Sequence, residues 1–438
     1  MHLSGKSSAE FIIKVIVILI TVVLLRQWYI DIINFPSLYP GITLYESWGV
    51  NDLLINYQAG FVRRGLEGEL LFQLYQIHPY PVVNLIIAFS VISLVTLFFA
   101  CVWLFRKMGW PLWLLLFPMF FYYRFYGLGD GVLDSRRDAV MMLLAILLYF
   151  LLKKSFTASW VGRYLWIWLL SVIVMLLHEG MFFVIFPILI VITWYHMQAY
   201  PVRSRIVRTI FLWWPLLIVL LFVTLLHGTD QTAHQIWKSW NPLFERYPLP
   251  DVPLTMGPAI EALTITLSEA LKMHFDISWT SGFVGTIPVW PFNIYLLLAI
   301  YYLMTQMGMF GSGKLKFDSV QMSNFIILQT IFSIPMLGFI ADDWYRSIPY
   351  YCILSCFLYY FFPKHDLFPR WLTALSLKIQ GCIRTSKLLN SPWTYCLVLI
   401  FLPFMHHNAC IGGLFPFIPL ELKHELPEMI LSLARIPF

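Results

Sequence analysis

Residues 82–105 read VVNLIIAFSVISLVTLFFACVWLF, twenty-four positions without a charge, and the run is closed by Arg106 and Lys107. At 1.5 Å per residue, a helix of this length reaches about 36 Å, enough to cross the roughly 30 Å hydrocarbon core of a bilayer. Inside such a core only a helix or a closed barrel satisfies its own backbone, and the run is too continuously apolar for the alternation of a barrel strand. Comparable runs begin near residues 11, 80, 110, 138, 162, 181, 209, 286, 322, 346 and 391. They predict an all-α polytopic bundle of about eleven transmembrane helices, formed by residues 1–438 as one integral membrane domain. The composition agrees: 60% of positions are hydrophobic and 12% charged, where a soluble protein has roughly a quarter charged. Little chain is left for a soluble catalytic domain of Rossmann type, and nucleic acid is not an expected partner. The bilayer is. The six cysteines, at 101, 352, 356, 382, 396 and 410, lie in or beside apolar runs and form neither a CxxC pair nor a disulfide framework.

The first run is flanked by Lys6 and Lys14, and Arg26, Gln27, Trp28 and Tyr29 stand where a cleaved signal peptide needs small residues. It reads as a retained signal anchor with a cytoplasmic N-terminus. On that assignment the inner connections hold 17 of the 29 basic residues, including Arg106, Lys153, Lys154, Arg203, Arg205, Arg208, Lys378 and Arg384. The positive-inside rule is met. The inner loops then read as short, basic and plain, and the chemistry is expected in the outer ones. These are residues 31–79, 124–137, the turn at 178–180, a long segment from 227 to 285, the turn at 341–349, and an interfacial tail at 407–438. Within the long segment, Ile260, Leu263, Leu267, Ala270 and Leu271 share one face of an amphipathic stretch from Ala259 to Phe275, which predicts a surface helix or lid.

Four outer clusters carry charge. The first contains Asp52, Tyr57 and the GFVRRG run at 60–65, with Arg63 and Arg64 between two glycines. Adjacent guanidiniums pair bidentately with phosphate oxygens, and glycine lets backbone N–H groups approach. The competing reading pairs these arginines with Glu67 and Glu69 at helical spacing. The second, SRRDA at 135–139, repeats the chemistry with Arg136 and Arg137. Its Asp130, Asp134 and Asp138 do not match an EF-hand and suit the acidic first turn of a helix. The third is His178-Glu179-Gly180, a tight turn between apolar helices. Partial desolvation there is expected to raise the Glu179 pKa and suit it to act as a general base, with His178 beside it. A turn whose His and Glu simply bond to neighbouring loops is the plainer reading. The fourth is DDWYR at 342–346, where Asp342 and Asp343 adjoin Trp344, Tyr345 and Arg346, a set suited to sugar hydroxyls and sugar faces, or to an interfacial aromatic belt. None of the four has metal-ligand spacing, and no metal or other cofactor is expected.

All four clusters fall at one predicted depth, the outer interface, where a phosphate- or diphosphate-linked lipid holds its anionic group. The GFVRRG, SRRDA, HEG and DDWYR segments resemble membrane proteins of bacterial surface-polysaccharide loci. The layout resembles the multispanning lipid-dependent glycosyltransferases of GT-C type and the Wzy-type O-antigen and capsule polysaccharide polymerases. Unlike the GT-C oligosaccharyltransferases, the chain has no DxD pair in its first outer loop, where Asp52 stands alone. The resemblance implies a polyprenyl-linked donor, functional acids in outer loops, and a site on the periplasmic face of the bacterial inner membrane.

The expected chemistry is glycosyl transfer with a polyprenyl-diphosphate leaving group, joining lipid-linked oligosaccharide repeat units as a surface-polysaccharide polymerase, or, as an alternative, adding a single sugar from a polyprenyl-phosphate donor. Arg63, Arg64, Arg136, Arg137 and Arg346 are the candidates for binding diphosphate. Glu179, Asp343 and Asp52, in that order, are the candidates for the base, and Tyr57, Asp342, Trp344 and Tyr345 for sugar contacts. The expected partners are polyprenyl-diphosphate-linked glycans and other polysaccharide-assembly membrane proteins, such as a chain-length regulator. Two rivals remain open at this point. A flippase or transporter of lipid-linked oligosaccharide predicts charges along a path through the bundle, and a membrane acyltransferase needs an intramembrane histidine, which would have to be His178, His406 or His407.

Overall fold

The computed structural model describes residues 10–15, 18, 48–78, 82–116, 137–157, 161–226, 228–246, 258–276, 290–309, 317–339, 344–363 and 367–401, and among these the regular structure is helical with no strand. Of the expected site residues, Arg136, Asp342 and Asp343 lie outside the described residues, as do His406, His407 and the tail. Trp344, Tyr345 and Arg346 open a described helix, but their side chains are outside the description.

The helices run in chain order as α1 (Trp48–Leu53), α2 (Gly65–Ile77), α3 (Val82–Met108), α4 (Asp138–Thr157), α5 (Val161–Leu177), α6 (Met181–His196), α7 (Val202–Leu225), α8 (Asp230–Ser239) and α9 (Asn241–Arg246). They continue with α10 (Pro258–Glu261), α11 (Leu267–Phe275), α12 (Trp290–Gln306), α13 (Ser319–Phe339), α14 (Trp344–Phe361), α15 (Arg370–Thr385) and α16 (Pro392–Phe401). Eight of them begin within four residues of an apolar run read from the sequence, and α7 begins seven residues before one. Among the described residues three segments are, by length and composition, long and apolar enough to cross a membrane: Asn84–Met108, Asp138–Phe156 and Val202–Leu225. Shorter apolar helices cover Gly162–Leu177, Met181–His196, Ile294–Met309 and Cys352–Phe361. Ile92 and Phe99 on α3, and Ile210, Leu221 and Leu225 on α7, leave large apolar side chains uncovered. Such a face is stable only against lipid or another apolar surface.

The main core joins α3, α4, α5, α6, α12, α13 and α14 through Leu104, Tyr149, Val174, Ile185, Leu303, Phe325 and Phe357. α5 and α6 are joined by only residues 178–180, and because Arg137 donates to the Leu177 carbonyl this turn lies at the same end of the bundle as the start of α4. A second apolar cluster caps that end. It is built by α1, α2, α8, α9 and α10, with Trp240 at its centre, edge-on to Phe72 at 5.2 Å and donating its indole N–H to the Leu54 carbonyl at 2.8 Å. Asn56 adds a bond to Ser239 Oγ at 2.8 Å. The segment after residue 48 and the segment after residue 228 therefore form one cap.

Two expectations change here. The amphipathic stretch from Ala259 to Phe275 is broken: a 3-10 turn at Ala262–Thr264 and an extended Ile265 separate α10 from α11. The break is made by a capping box, in which Thr266 accepts from the Glu269 N–H while the Glu269 carboxylate accepts from the Thr266 N–H. The connection after α14 is likewise not plain, since it carries α15, docked on α13 through a buried polar network. Ser323 donates to Ser376 Oγ at 2.9 Å, and Gln380 donates to the Tyr301 hydroxyl at 3.0 Å.

Candidate functional site

The site forms where the α1–α2 corner meets the start of α4 and the turn between α5 and α6. Its scaffold begins with Asn56, whose side-chain oxygen accepts from the Gln58 N–H at 3.1 Å and turns the chain. The Gly60 N–H returns to the Tyr57 carbonyl at 3.0 Å, with Gly60 at φ 100°. Glu69, one turn into α2, accepts from the Tyr57 N–H at 2.9 Å and from the Gln58 side chain. Glu69 is thus spent on closing this loop, not on the neighbouring arginines as helical spacing suggested. Gly68 lets α2 lie on the α1 corner: a Cβ there would stand 1.9 Å from the Ile55 carbonyl oxygen.

Arg64 precedes α2 with φ 65° and ψ 9°, the one described non-glycine residue with positive φ. The left-handed region costs an L-residue about 1–2 kcal/mol, so its surroundings hold it there. The side chain reaches the turn at 178–180. Arg64 Nη2 donates to Glu179 Oε1 at 2.7 Å, and Nε lies 3.0 Å from Oε2 and 3.1 Å from Oε1. Arg63 Nη1 lies 3.7 Å from the same Oε1, while its Nη2 donates at 3.0 Å to the Ala262 carbonyl of the long outer segment.

Beneath this pair lies Arg137, 2% exposed. Its Nη2 donates to the Asp52 carbonyl at 2.6 Å, and its Nη1 to the carbonyls of Arg64, at 3.2 Å, and Leu177. Its Nε faces Asp52 Oδ2 at 3.1 Å and Glu67 Oε2 at 3.7 Å. One guanidinium thereby ties together α1, the start of α2, α4 and the end of α5. Asp52 also faces Arg64 Nη1 at 3.6 Å.

The cluster therefore has two layers. Arg137 and Asp52 are sealed, with side chains 1% and 10% exposed, whereas Arg63, Arg64 and Glu179 are each about a fifth exposed. A ligand arriving from outside meets the second layer. Arg137, read from the sequence as a ligand arginine, is filled from within the protein and acts as a staple.

The electrostatics reverse one expectation. Burial is the largest single influence and pushes the Glu179 carboxyl up, but the groups around it, Arg64 foremost, together outweigh it, and the net effect is a pKa well below the ordinary carboxylate range. Glu179 is an ionised partner of arginine here, not a base raised by desolvation. Asp52 behaves alike: burial raises it, yet Arg137 and then Arg64 hold it low. Glu67 is the carboxyl that burial does raise, against the opposing pull of Arg137, and Asp52 pushes it further. Its Oε2 is buried without a hydrogen-bond partner. Sequence spacing had assigned Glu67 only a local arginine.

His178 Nδ1 accepts from the Gly180 N–H at 3.1 Å, so that nitrogen carries no proton and the ring shapes the turn that carries Glu179. Tyr57 stacks on Phe61, with ring centroids 5.4 Å apart, and Phe61 is 41% exposed. That pair offers a flat aromatic surface beside the arginines. Among the described residues no group of three or more His, Cys, Asp or Glu side chains is placed to hold a metal ion. Asp52, Tyr57, Arg63, Arg64, Arg137, His178 and Glu179, from three separate sequence clusters, meet in one place. Comparison with models of known protein families, with curated proteins and with solved structures gives no match for this chain.

Proposed function

We propose that the chain is a glycosyltransferase of the bacterial inner membrane that uses a polyprenyl-diphosphate-linked donor and polymerises surface-polysaccharide repeat units. On this reading about eleven helices cross the bilayer from a cytoplasmic N-terminus, and the arginine cluster faces the periplasm. The observation that carries the reading is the meeting of Arg63, Arg64, Asp52 and Glu179 at one end of an apolar bundle, part-exposed and beside an aromatic pair. At that depth a lipid diphosphate lies against the arginines, its tail along the apolar flank, and its sugar reaches outward over Tyr57 and Phe61.

In the transfer, the acceptor hydroxyl oxygen attacks the anomeric carbon of the donor sugar. The bond from that carbon to the diphosphate oxygen breaks, and its electron pair leaves on the diphosphate. Arg63 and Arg64 stabilise the charge that develops there. A carboxylate, Glu179 or Asp52 among the described residues, takes the hydroxyl proton. Asp343, Asp342, Trp344, Tyr345, Arg136 and Arg346 complete the proposed site, with a chain-length regulator as an assembly partner. The arginines serve the leaving group without a metal, so chelation leaves the reaction unchanged.

A flippase is the second reading. Among the described residues the buried charged side chains are Asp52, Glu67, Arg137 and Asp138, all at the site end of the bundle. That placement favours a site over a charged path through the bundle.

The deciding experiment incubates purified protein with lipid-diphosphate-linked oligosaccharide and reads products on a gel or mass ladder, alongside Arg64→Ala, Arg136→Ala and Glu179→Gln. A ladder of repeats lost in the variants supports the polymerase. A single added sugar reduces the activity to simple transfer. Intact substrate that moves across a reconstituted vesicle replaces the enzyme with a transporter.

A further inference from the structure

The two arginines that a diphosphate would use are already occupied. Arg64 turns one edge of its guanidinium, Nε and Nη2, onto both oxygens of Glu179, the same fork by which arginine grips phosphate oxygens. Arg63 approaches the same carboxylate at 3.7 Å. Resting on the proposed function, we infer that the Glu179 carboxylate holds the seat on Arg63 and Arg64 that the substrate diphosphate takes, so that binding exchanges an internal anion for an external one and frees Glu179.

Three features of the site support the exchange. The first is charge. Asp52, Glu67 and Glu179 face Arg63, Arg64 and Arg137 in equal number. A diphosphate added without the departure of a carboxylate would put excess negative charge into a part-buried pocket, which is costly. Departure of Glu179 offsets one of the two negative charges that a lipid-linked diphosphate brings.

The second is that the arginines stay in place without Glu179. The Arg64 backbone carbonyl is held by Arg137 at 3.2 Å, and Arg63 is tethered to the Ala262 carbonyl at 3.0 Å. The third is access. Glu179 stands on a three-residue turn with its side chain 23% exposed, so rotation of its side chain suffices to leave the fork. Asp52 is not equivalent, because it is buried against Arg137.

Exchange gives Glu179 a second role in the same step. Once separated from the guanidiniums it loses the cations that hold it ionised, and it becomes a stronger proton acceptor at the moment the acceptor hydroxyl needs one. The base is thus masked until donor is bound.

The test is binding of inorganic diphosphate to the full-length protein in detergent, measured by calorimetric titration for wild type, Glu179→Gln and Arg64→Gln/Glu179→Gln. Removing the competing charge is expected to tighten binding about tenfold in Glu179→Gln, a factor typical of one lost unfavourable charge contact. The double variant is expected to lose binding. If Glu179→Gln does not fold, Glu179→Asp, which withdraws the carboxylate by one methylene, is expected to show a smaller gain. Unchanged or weaker binding in these single variants, or no binding to any form, overturns the exchange. The oligosaccharide ladder separates this failure from failure of the function: a wild-type ladder with weaker Glu179→Gln binding discards only the exchange. Tighter binding without a wild-type ladder keeps the exchange and discards the lipid-linked glycan.

Discussion

Arg64 and Glu179 lie 115 residues apart in sequence and 2.7 Å apart in space, Nη2 to Oε1. The contact joins the start of α2 to the turn between α5 and α6, and it is made by an arginine in the left-handed region of backbone space. The pair is part-buried, so its strained arginine is held by surroundings that leave little water to replace Glu179, which turns attention to what else the guanidinium grips.

The backbone strain at this position has a measurable sign. Arg64→Gly and Arg64→Ala both remove the guanidinium, but only glycine takes φ 65° without penalty. The glycine variant is expected to be more stable than the alanine variant by about 1 kcal/mol, the reverse of their order inside a helix. Thermal unfolding of the two in one detergent checks this, and both are expected to lose transfer activity.

Arg137→Ala removes the shared donor for the carbonyls of Asp52, Arg64 and Leu177 and leaves the Asp52 carboxylate buried without its main cation. Breaking a buried pair on one side costs about 3–5 kcal/mol. The unfolding midpoint is expected to fall accordingly. Arg137→Lys is expected to rescue only part of it, since an ammonium lacks the planar fork that serves three acceptors at once.

Close packing at the α2 corner separates two neighbouring glycines. A methyl at Gly68 meets the Ile55 carbonyl oxygen at 1.9 Å, whereas one at Gly65 meets the edge of the Tyr57 ring at 2.3 Å. A ring can swing aside and a backbone carbonyl cannot. Gly68→Ala is expected to cost about 3 kcal/mol and to weaken diphosphate binding, because Arg63 and Arg64 lie on the turn that leads into α2. Gly65→Ala is expected to cost less. Unfolding midpoints order the two.

Acid separates the carboxylates. Asp52 and Glu179 have folded pKa values below their ordinary ones, so their stabilisation is present above the ordinary carboxylate range and is lost as pH falls through the depressed values. Glu67 is raised, so its ionisation opposes folding as pH rises through its folded value. Asp52→Asn is therefore expected to lower the unfolding midpoint at neutral pH. Glu67→Gln is expected to leave it unchanged or raise it, and to flatten its dependence above the ordinary carboxylate range. Midpoints measured across the acid-to-neutral interval decide the matter.

The helices were legible because apolar runs and their charged ends are local. The starts of α3, α4, α5, α6, α13 and α14 follow directly from where charge gives way to hydrocarbon. Depth was legible too, since a stiff rod of known rise places Arg63, Arg137 and Glu179 near the same end. Lateral position was not, because no periodicity says which rod stands beside which. Helical spacing therefore offered Arg63 and Arg64 to Glu67 and Glu69, while the fold gives Glu69 to the Tyr57 amide and the arginines to Glu179 and Asp52. The direction of the Glu179 pKa failed for the same reason: burial alone raises a carboxyl, and the opposing guanidinium comes from a distant segment. The break between α10 and α11 was within reach, since Thr266 and Glu269 spell a capping box at the required spacing.

The Arg137 staple also sets an order of events during synthesis. Asp52, Arg64 and Glu67 have left the ribosome before Arg137 does, but the Leu177 carbonyl follows only forty residues later. A nascent chain that has inserted α4 and not yet α5 carries a guanidinium short of one acceptor at the edge of hydrocarbon. The pocket closes when the end of α5 arrives, so completion of the cluster reports that α1, α2, α4 and α5 have met in register.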